Sequence, residues 1–593
     1  MSDNNLNEAQ KRVGVYVCHC GGNISDVVDI KKIVDEISKY HSVVVARDYV
    51  FMCSSNGQSL IEDDIKNMGI NRIVVAACMP SLHELTFRNA IQRAGLNPYL
   101  YEHINIREQV SWVHKDDPQG ATSKAILLIK AGVEKVLMQD PLNAIRVNAE
   151  HRVLIIGGGI SGMRAAVSSA DNGIEVVIVE KEKKLGGKLK RDGYVYPSDE
   201  KAVDIVNKFS KKILSNPLIK VYTESEIINI GGYVGNFDIK IKKTDGDIDN
   251  IKAGSIIVAT GFDHYMPYDG EYGYKKSDYV LRLKEFIELL SKSDGLEFVF
   301  KGKKINSIGF IHCVGSRQNE GIDTPQADGK VNEYCSRVCC TSGIYTMNKL
   351  KEKFPDVNVY DVYADIRTYG MESESLYEIA SKHDVIFFRR PLDERPQITF
   401  EGDKIKITTT DILSFNERLE MEVDMLVLLT GMKPSEIDDI SGYLKLSKST
   451  NRFLQEVHPK LRPVEMNING VFAAGTSLSP MDITESLQSA QTAAMKSAIL
   501  LSNPDIPLDP FVAVVDEERC TGCGRCVEEC LYSGAVTITE KTIDGNIKKV
   551  AYVNPAMCKG CGACVAACSE RAIDLNGSRL SQFEAMIDAI VKE

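Results

Sequence analysis

Residues 152–162 read RVLIIGGGISG, an apolar run rich in β-branched side chains that passes directly into Gly157, Gly159 and Gly162 at the spacing GxGxxG. A strand that turns into a helix in this way aims backbone N–H groups at a phosphate. The first glycine makes the turn, the second lets a pyrophosphate approach the backbone, and the third lets helix pack on strand. The next apolar run, EVVIV, ends in Glu180, at the distance where a carboxylate meets ribose hydroxyls. Strand, helix and acid together predict a Rossmann-type unit that binds a dinucleotide. A glycine-rich turn without a ligand is the alternative.

Further along, KLGGK (184–188), VATG (258–261) and GVFAAGT (470–476) resemble the set found in two-dinucleotide flavoproteins of the thioredoxin-reductase type. The resemblance implies FAD, with Gly187, Lys188, Ala259, Thr260, Gly261 and Gly475 among its contacts. Such enzymes carry a second glycine fingerprint for NAD(P)H. Here the matching strand, INSIGFI (305–311), leads to Cys313-Val314-Gly315-Ser316-Arg317, a thiol and one glycine where phosphates need close backbone approach. The NAD(P)H site is expected to be lost. In its place stand Cys313, Cys335, Cys339 and Cys340, the last three in YCSRVCC. Four thiols so spaced suit one iron-sulfur cube if the loop between them folds back; a zinc site and a redox-active dithiol at Cys339 and Cys340 remain open.

Toward the amino terminus, residues 12–17, 42–50 and 72–77 are β-branched runs separated by helical patterns at Val27 to Tyr40 and Ile61 to Met68. This predicts βαβαβ with a parallel sheet. Cys18 and Cys20 follow the first strand, Cys53 the second and Cys78 the third. The carboxyl ends of parallel strands share one edge, where ligands converge, so four distant cysteines are expected to meet. Free cysteines are often small buried hydrophobes, but that reading does not place all four at strand ends. His19 is a substitute ligand, with a solvent-facing or core role as the alternative.

Toward the carboxyl terminus, CTGCGRCVEEC (520–530) and CKGCGACVAAC (558–568) repeat the spacing CxxCxxCxxxC. This is the ferredoxin run, in which the fourth cysteine of each run serves the other cluster. Cys520, Cys523, Cys526 and Cys568 then hold one cluster, and Cys558, Cys561, Cys564 and Cys530 the other. Leu531 and Ser569 stand where a proline usually follows. Zinc is the alternative, though structural zinc sites favour separated pairs. The chain's 16 cysteines thus divide into four quartets without remainder.

The domains expected are an amino-terminal α/β iron-sulfur domain at 1–145, a thioredoxin-reductase-like FAD domain with an inserted cysteine site at 146–503, a linker at 504–510 marked by Pro504, Pro507 and Pro510, and a two-cluster α+β ferredoxin domain with a terminal helix at 511–593. A net charge of −11 over 593 residues, without a long basic run, argues against nucleic acid or an anionic membrane as partner. The polar start and the lack of a run of ~18 apolar residues predict a cytoplasmic protein that neither is exported nor spans a membrane.

In order along the chain, VYVCHCGGNI (15–24), NPYLYEHINIREQVSWVH (97–114), CVGSR (313–317), YCSRVCC (334–340), DIRTYG (365–370), HPKLRPV (458–464) and the last helix are similar to motifs of the A-type subunits of the heterodisulfide reductase family. The resemblance implies a flavin-centred oxidoreductase component that carries electrons, with four 4Fe-4S clusters. Its implied partners are B- and C-type subunits, ferredoxin, and a hydrogenase- or NADH-linked input subunit, with a homodimer inside the complex. Flavin-based bifurcation or confurcation is the leading expectation. A linear relay and a stand-alone flavin disulfide reductase are the alternatives. Two departures stand out. The ferredoxin insert of longer members is absent, since no cysteine lies between Gly187 and Val258. The lysine that the family usually places five residues after the vicinal cysteines, near the flavin, is Tyr345 here, which leaves Lys460 and, less so, Lys188 as candidate flavin-proximal cations.

Overall fold

A computed structural model of the chain describes residues 11–191, 193–196, 198–532, 534–543 and 545–591. The chain divides into two units. One joins the chain up to Val147 with that from Pro507 onward; the other is Asn148–Ile506. Residues 1–145 and 511–593, separate domains by sequence, therefore share a unit, and the stretch read as a linker contains the short strand Asp505–Leu508.

In the first unit, strands Val43–Tyr49, Val13–Cys18, Arg72–Ala77 and Tyr101–Asn105 form a parallel sheet in that order. Val13–Cys18 is buried at every position, which is why it reads as an unbroken apolar run rather than an alternating one. Helix Ile30–Ile37 starts at Asp29, whose carboxylate accepts from Lys32 N at 3.0 Å, and helix Ser55–Met68 starts at the cap Ser54. The first is shorter than its apolar pattern and the second longer, because caps and not hydrophobic spacing fix where a helix begins. The strand Tyr101–Asn105 was not anticipated; its polar Glu102, His103 and Asn105 masked it.

The cysteine-rich module is built on the hairpin Val536–Ile543 with Asn546–Val553 and on the pair Ala513–Val515 with Ile573–Leu575. Its last helix, Leu580–Val591, packs on helix Pro118–Leu137, and Gln582 donates to Met138 O at 3.1 Å. Arg88 adds a second fastening. Its guanidinium lies 5.2 Å from the Tyr99 ring and 4.7 Å from the Phe511 ring, and Nη1 is 3.2 Å from Asp509 Oδ1.

The second unit holds two five-stranded parallel sheets. One runs Ile219–Tyr222, Glu175–Val179, Arg152–Ile156, Ser255–Val258, Val471–Ala473. The other runs Val280–Arg282, Met425–Thr430, Ser307–Val314, Asn358–Tyr363, Val385–Arg389. Three-stranded antiparallel sheets at Glu226–Ala253 and Gln397–Val423 accompany them. The architecture is α/β and Rossmann-type, as the glycine fingerprint implied. Among the described residues no helix is long and apolar enough to cross a membrane.

Candidate functional site

The glycine fingerprint opens onto a cavity of about 980 Å³. Gly157 adopts φ +106, and a Cβ there would stand 2.5 Å from Ala259 O, so only glycine makes this turn. A Cβ on Gly162 would meet Gly157 O at 1.9 Å, which fixes how closely helix Ile160–Asp171 lies on its strand. Gly159 lines the cavity, and a Cβ on it would meet nothing within 4 Å. An open cradle of this kind at a helix start would suit a pyrophosphate. The Glu180 carboxylate accepts from Gly158 N at 2.6 Å and Glu182 N at 2.7 Å, which holds it rigidly in the cavity wall. Thr260 Oγ1 is buried in the same wall without a hydrogen-bond partner among the described residues. Glycines, carboxylate and orphaned hydroxyl together fit a dinucleotide. Gly187, Lys188, Ala259 and Gly261 also line the cavity; Gly475, at φ +66, lies next to the lining residue Thr476 and holds its N–H on Ser489 Oγ at 3.1 Å.

Lys188 and Tyr345 line this cavity, whereas Lys460 is exposed on the loop closed by His458 and Arg462 and is not among the lining residues. Lys188, read mainly as a surface lysine, has Nζ 3.0 Å from Asp263 Oδ1 and 5.5 Å from the Phe262 ring. Tyr345 donates to Asp199, and burial followed by that carboxylate raises its phenol well above the usual range. It therefore supplies a neutral hydroxyl to the cavity wall. Arg337 is a cation the sequence reading missed. It lines the cavity from within YCSRVCC, held by Glu485, Tyr369 and Pro480 O. His264 also lines the cavity, and burial, with Lys284 and Lys188 nearby, lowers its pKa to about 4, so the ring is neutral at physiological pH.

Where a second fingerprint would sit, the turn after strand Ser307–Val314 is closed by an aromatic ring. Gly315 has φ +71, and a Cβ there would meet Tyr265 Cγ at 2.0 Å. The backbone that should face a nucleotide faces Tyr265 instead.

Cys313, the last residue but one of that strand, adopts a left-handed conformation, φ +63, which a side chain adopts only under constraint. Cys339 and Cys340 begin helix Cys339–Lys353. Cys339 is within electrostatic reach of Cys340, Cys313 and Cys335, so the four thiols converge, and Cys339 also lines the large cavity. Burial, then the neighbouring thiols, raises the Cys339 thiol well above its ordinary range. Burial also works against a Cys340 thiolate, yet His312 beside it carries its pKa below the ordinary value. The fully buried Arg390 lies near Cys313. Its Nη1 contacts only backbone carbonyls, such as Glu394 O at 2.7 Å, and its Nε finds no partner among the described residues.

In the first unit, Cys18 ends its strand, Cys20 follows at φ +55, and Cys53 and Cys78 lie just beyond the next two parallel strands. Cys20 acts electrostatically on all three others. Burial pushes the Cys78 thiol up to about 12. Arg107 donates to Cys20 Sγ at 3.1 Å, paired with Glu108 and stacked 4.7 Å from the Trp112 ring. His19 Nε2 lies 2.7 Å from Asp48 Oδ2 at a partly exposed position. Arg107 escaped the sequence reading because it opens the helical turn Arg107–Ser111, which follows the unanticipated fourth strand.

In the cysteine-rich module, Cys526 has Cys520, Cys523 and Cys568 as electrostatic neighbours, and a small cavity is lined by Cys530 together with Cys558, Cys561 and Cys564. Backbone N–H groups of Ala551, Ala513 and Ala572 point at Cys520, Cys558 and Cys568 at 3.3–3.4 Å. Among the described residues no three His, Cys, Asp or Glu side chains are placed to share one metal ion.

Residues 151–309 match the family of pyridine nucleotide-disulphide oxidoreductases, and residues 519–572 match the 4Fe-4S dicluster domain. Over 623 residues the chain is 36% identical to the iron-sulfur A subunit, form 2, of the CoB-CoM heterodisulfide reductase of Methanopyrus kandleri, covering 91% of this chain and 93% of that protein. It is also 36% identical over 625 residues to the A subunit of the H(2):CoB-CoM heterodisulfide,ferredoxin reductase of Methanothermobacter thermautotrophicus, covering 91% and 92%. A second Methanopyrus kandleri protein, form 1 of the same iron-sulfur component, is 34% identical over 669 residues with 98% of both chains covered.

Proposed function

The chain belongs to the family of CoB-CoM heterodisulfide reductase A subunits, and on that premise we propose that it is the flavin-centred component of a heterodisulfide-reductase-like complex, in which paired electrons are divided between clusters of different potential by bifurcation or confurcation. It is an oxidoreductase whose flavin and iron-sulfur groups carry electrons. FAD, when bound, supplies the exchange between two-electron and one-electron chemistry, and the iron-sulfur groups supply one-electron steps.

The observation that carries the proposal is Cys339, which belongs to the quartet with Cys313, Cys335 and Cys340 and also forms part of the wall of the dinucleotide cavity. A single side chain common to both sites gives a short electron path between them. Gly159, Glu180 and Thr260 bind and orient the dinucleotide. Tyr265 occupies the turn where a nicotinamide cofactor would dock, so electrons have to enter and leave through partner proteins. Those partners are B- and C-type subunits, ferredoxin, and a hydrogenase- or NADH-linked input subunit, in a cytoplasmic complex that holds two copies of this chain. All sixteen cysteines ligate iron, as four 4Fe-4S clusters, three quartets in the first unit and one in the second.

A second reading draws on the lowered Cys340 thiol, namely a redox-active dithiol at Cys339 and Cys340. The strongly raised thiol of Cys339 speaks against it, because exchange needs an accessible thiolate.

Anaerobic purification with the native complex, followed by iron, sulfide and flavin analysis, tests the assignment. About sixteen iron and one FAD per chain are expected from four cubes; zinc in place of a quarter of the iron sinks one quartet. Potentiometric titration of the flavin then decides between division and linear relay. A second one-electron step more favourable than the first supports division, and the reverse order supports relay.

A further inference from the structure

His312 and Asp361 occupy neighbouring parallel strands, Ser307–Val314 and Asn358–Tyr363, and both are 0% exposed. His312 Nε2 stands 2.8 Å from Asp361 Oδ1, and Nδ1 stands 3.5 Å from Cys340 Sγ. Apart from that ion pair, neither carboxylate oxygen of Asp361 has a hydrogen-bond partner among the described residues. The ring therefore bridges a buried carboxylate, which Nε2 meets as an ion-pair contact, and the Cys340 sulfur, which Nδ1 reaches at hydrogen-bond distance. A carboxylate buried so completely is retained only with its charge compensated. The arrangement resembles the carboxylate–histidine pairs that orient metal ligands from behind.

The dyad is bound to the quartet twice. His312 immediately precedes Cys313, and its ring reaches across to Cys340. Among the described residues Cys340 is the one cysteine whose sulfur meets a histidine ring; the hydrogen bonds drawn to sulfur in the ferredoxin module come from neutral backbone N–H groups. A hydrogen bond from a positively charged donor stabilises the more anionic, reduced state of an iron-sulfur cluster more than a neutral donor does.

We propose that the His312–Asp361 dyad sets the reduction potential of the cluster held by Cys313, Cys335, Cys339 and Cys340, with His312 donating its Nδ1 hydrogen to Cys340 Sγ and Asp361 holding the ring in place. Both are positioning residues. The proposal rests on the reading of this quartet as a cluster site. Since Cys339 also lines the dinucleotide cavity, the dyad tunes the cluster that takes electrons directly from that cavity, and so the driving force of that branch.

The test uses the intact protein in three variants: Cys313→Ser, Asp361→Asn, and the double substitution of His312→Phe with Asp361→Leu, which removes the donor without stranding a buried charge. Iron content and reductive titration followed by electron paramagnetic resonance are the readouts. Cys313→Ser is expected to lose about a quarter of the iron and one signal, which assigns that signal to this quartet. If it keeps all iron and every signal, the cluster reading fails and the proposal falls with it. With the signal assigned, Asp361→Asn is expected to shift its midpoint downward and the double variant further, while the other clusters and the flavin absorption stay unchanged. An unmoved midpoint overturns the dyad's role and leaves the cluster reading standing. Loss of the cluster from both dyad variants also overturns it, because the dyad would then be scaffold.

Discussion

Gly315 has its α-carbon pressed under the ring of Tyr265, so closely that a Cβ there would meet Tyr265 Cγ at 2.0 Å. The turn that in a two-dinucleotide flavoprotein would receive a second nucleotide is filled from within. NADH and NADPH are therefore expected not to bleach the flavin of the isolated chain, even at millimolar concentration. Absorbance at the flavin band under anaerobic conditions checks this; rapid bleaching by either nucleotide would refute the lost site.

Gly159 and Gly162 sit three residues apart and should respond differently to a side chain. A valine at position 159 projects into open cavity, one at 162 into Gly157 O at 1.9 Å. Gly159→Val is expected to weaken FAD retention at least tenfold with iron content and unfolding temperature near the parent's. Gly162→Val is expected to disrupt the fold of residues 148–506 itself. Flavin stoichiometry and thermal unfolding separate the two outcomes.

Cys568 is an electrostatic neighbour of Cys526, while Cys530 shares a cavity with Cys558, Cys561 and Cys564. Replacing Cys568 by serine should therefore damage the cluster of the first run, and replacing Cys530 that of the second. Each variant is expected to lose or convert one cluster, and double variants with Cys523→Ser or Cys561→Ser identify which. If Cys568→Ser is additive with Cys523→Ser in iron loss, the crossed arrangement is wrong.

Burial, with Lys284 and Lys188 next in weight, lowers the pKa of His264 from 6.5 to about 4. The folded chain thus holds this ring neutral while the unfolded chain protonates it near 6.5, so the unfolded state binds more protons between those values. Stability from this site is complete above pH 6.5 and is lost as pH falls toward 4, on the order of 3 kcal/mol across the window. His264→Phe is expected to flatten the pH dependence of unfolding of the 148–506 unit between pH 6.5 and 4 relative to the parent. An unchanged slope would show that the ring already titrates normally.

Arg88 touches two rings and pairs with Glu84 and Asp509. Arg88→Ala is expected to cost about 2 kcal/mol, mostly from the cation–π contacts, because the Asp509 carboxylate is solvent-screened. Faster proteolysis near residues 504–510 is the measurement, with Arg88→Lys restoring only part of the resistance, since an ammonium stacks less well on aromatic faces.

Much of this chain was readable from local pattern. RVLIIGGGISG, and CxxCxxCxxxC twice, carry their signal within about a dozen residues, where local backbone geometry decides which side chain or N–H faces outward from a turn. The strand-end cysteines Cys18, Cys53 and Cys78 were also legible, because a parallel sheet puts its carboxyl ends on one edge whatever lies between them. The helix limits were not, since Ser54 starts its helix earlier than the apolar spacing suggests.

What only the folded chain decided are pairings between distant residues. Asp361 lies 48 positions beyond Cys313 with no periodicity to mark it, and reaches His312 because their strands are neighbours in one sheet. Lys188 rather than Lys460 lines the cavity, and Phe511 finds Arg88, through the packing of loops and a helix that lie far apart in sequence. Local sequence determines backbone propensity and the spacing of ligands along the chain. Which charges meet across elements is set by packing, where burial makes each unpaired group costly and so selects a partner that no short stretch of sequence can name.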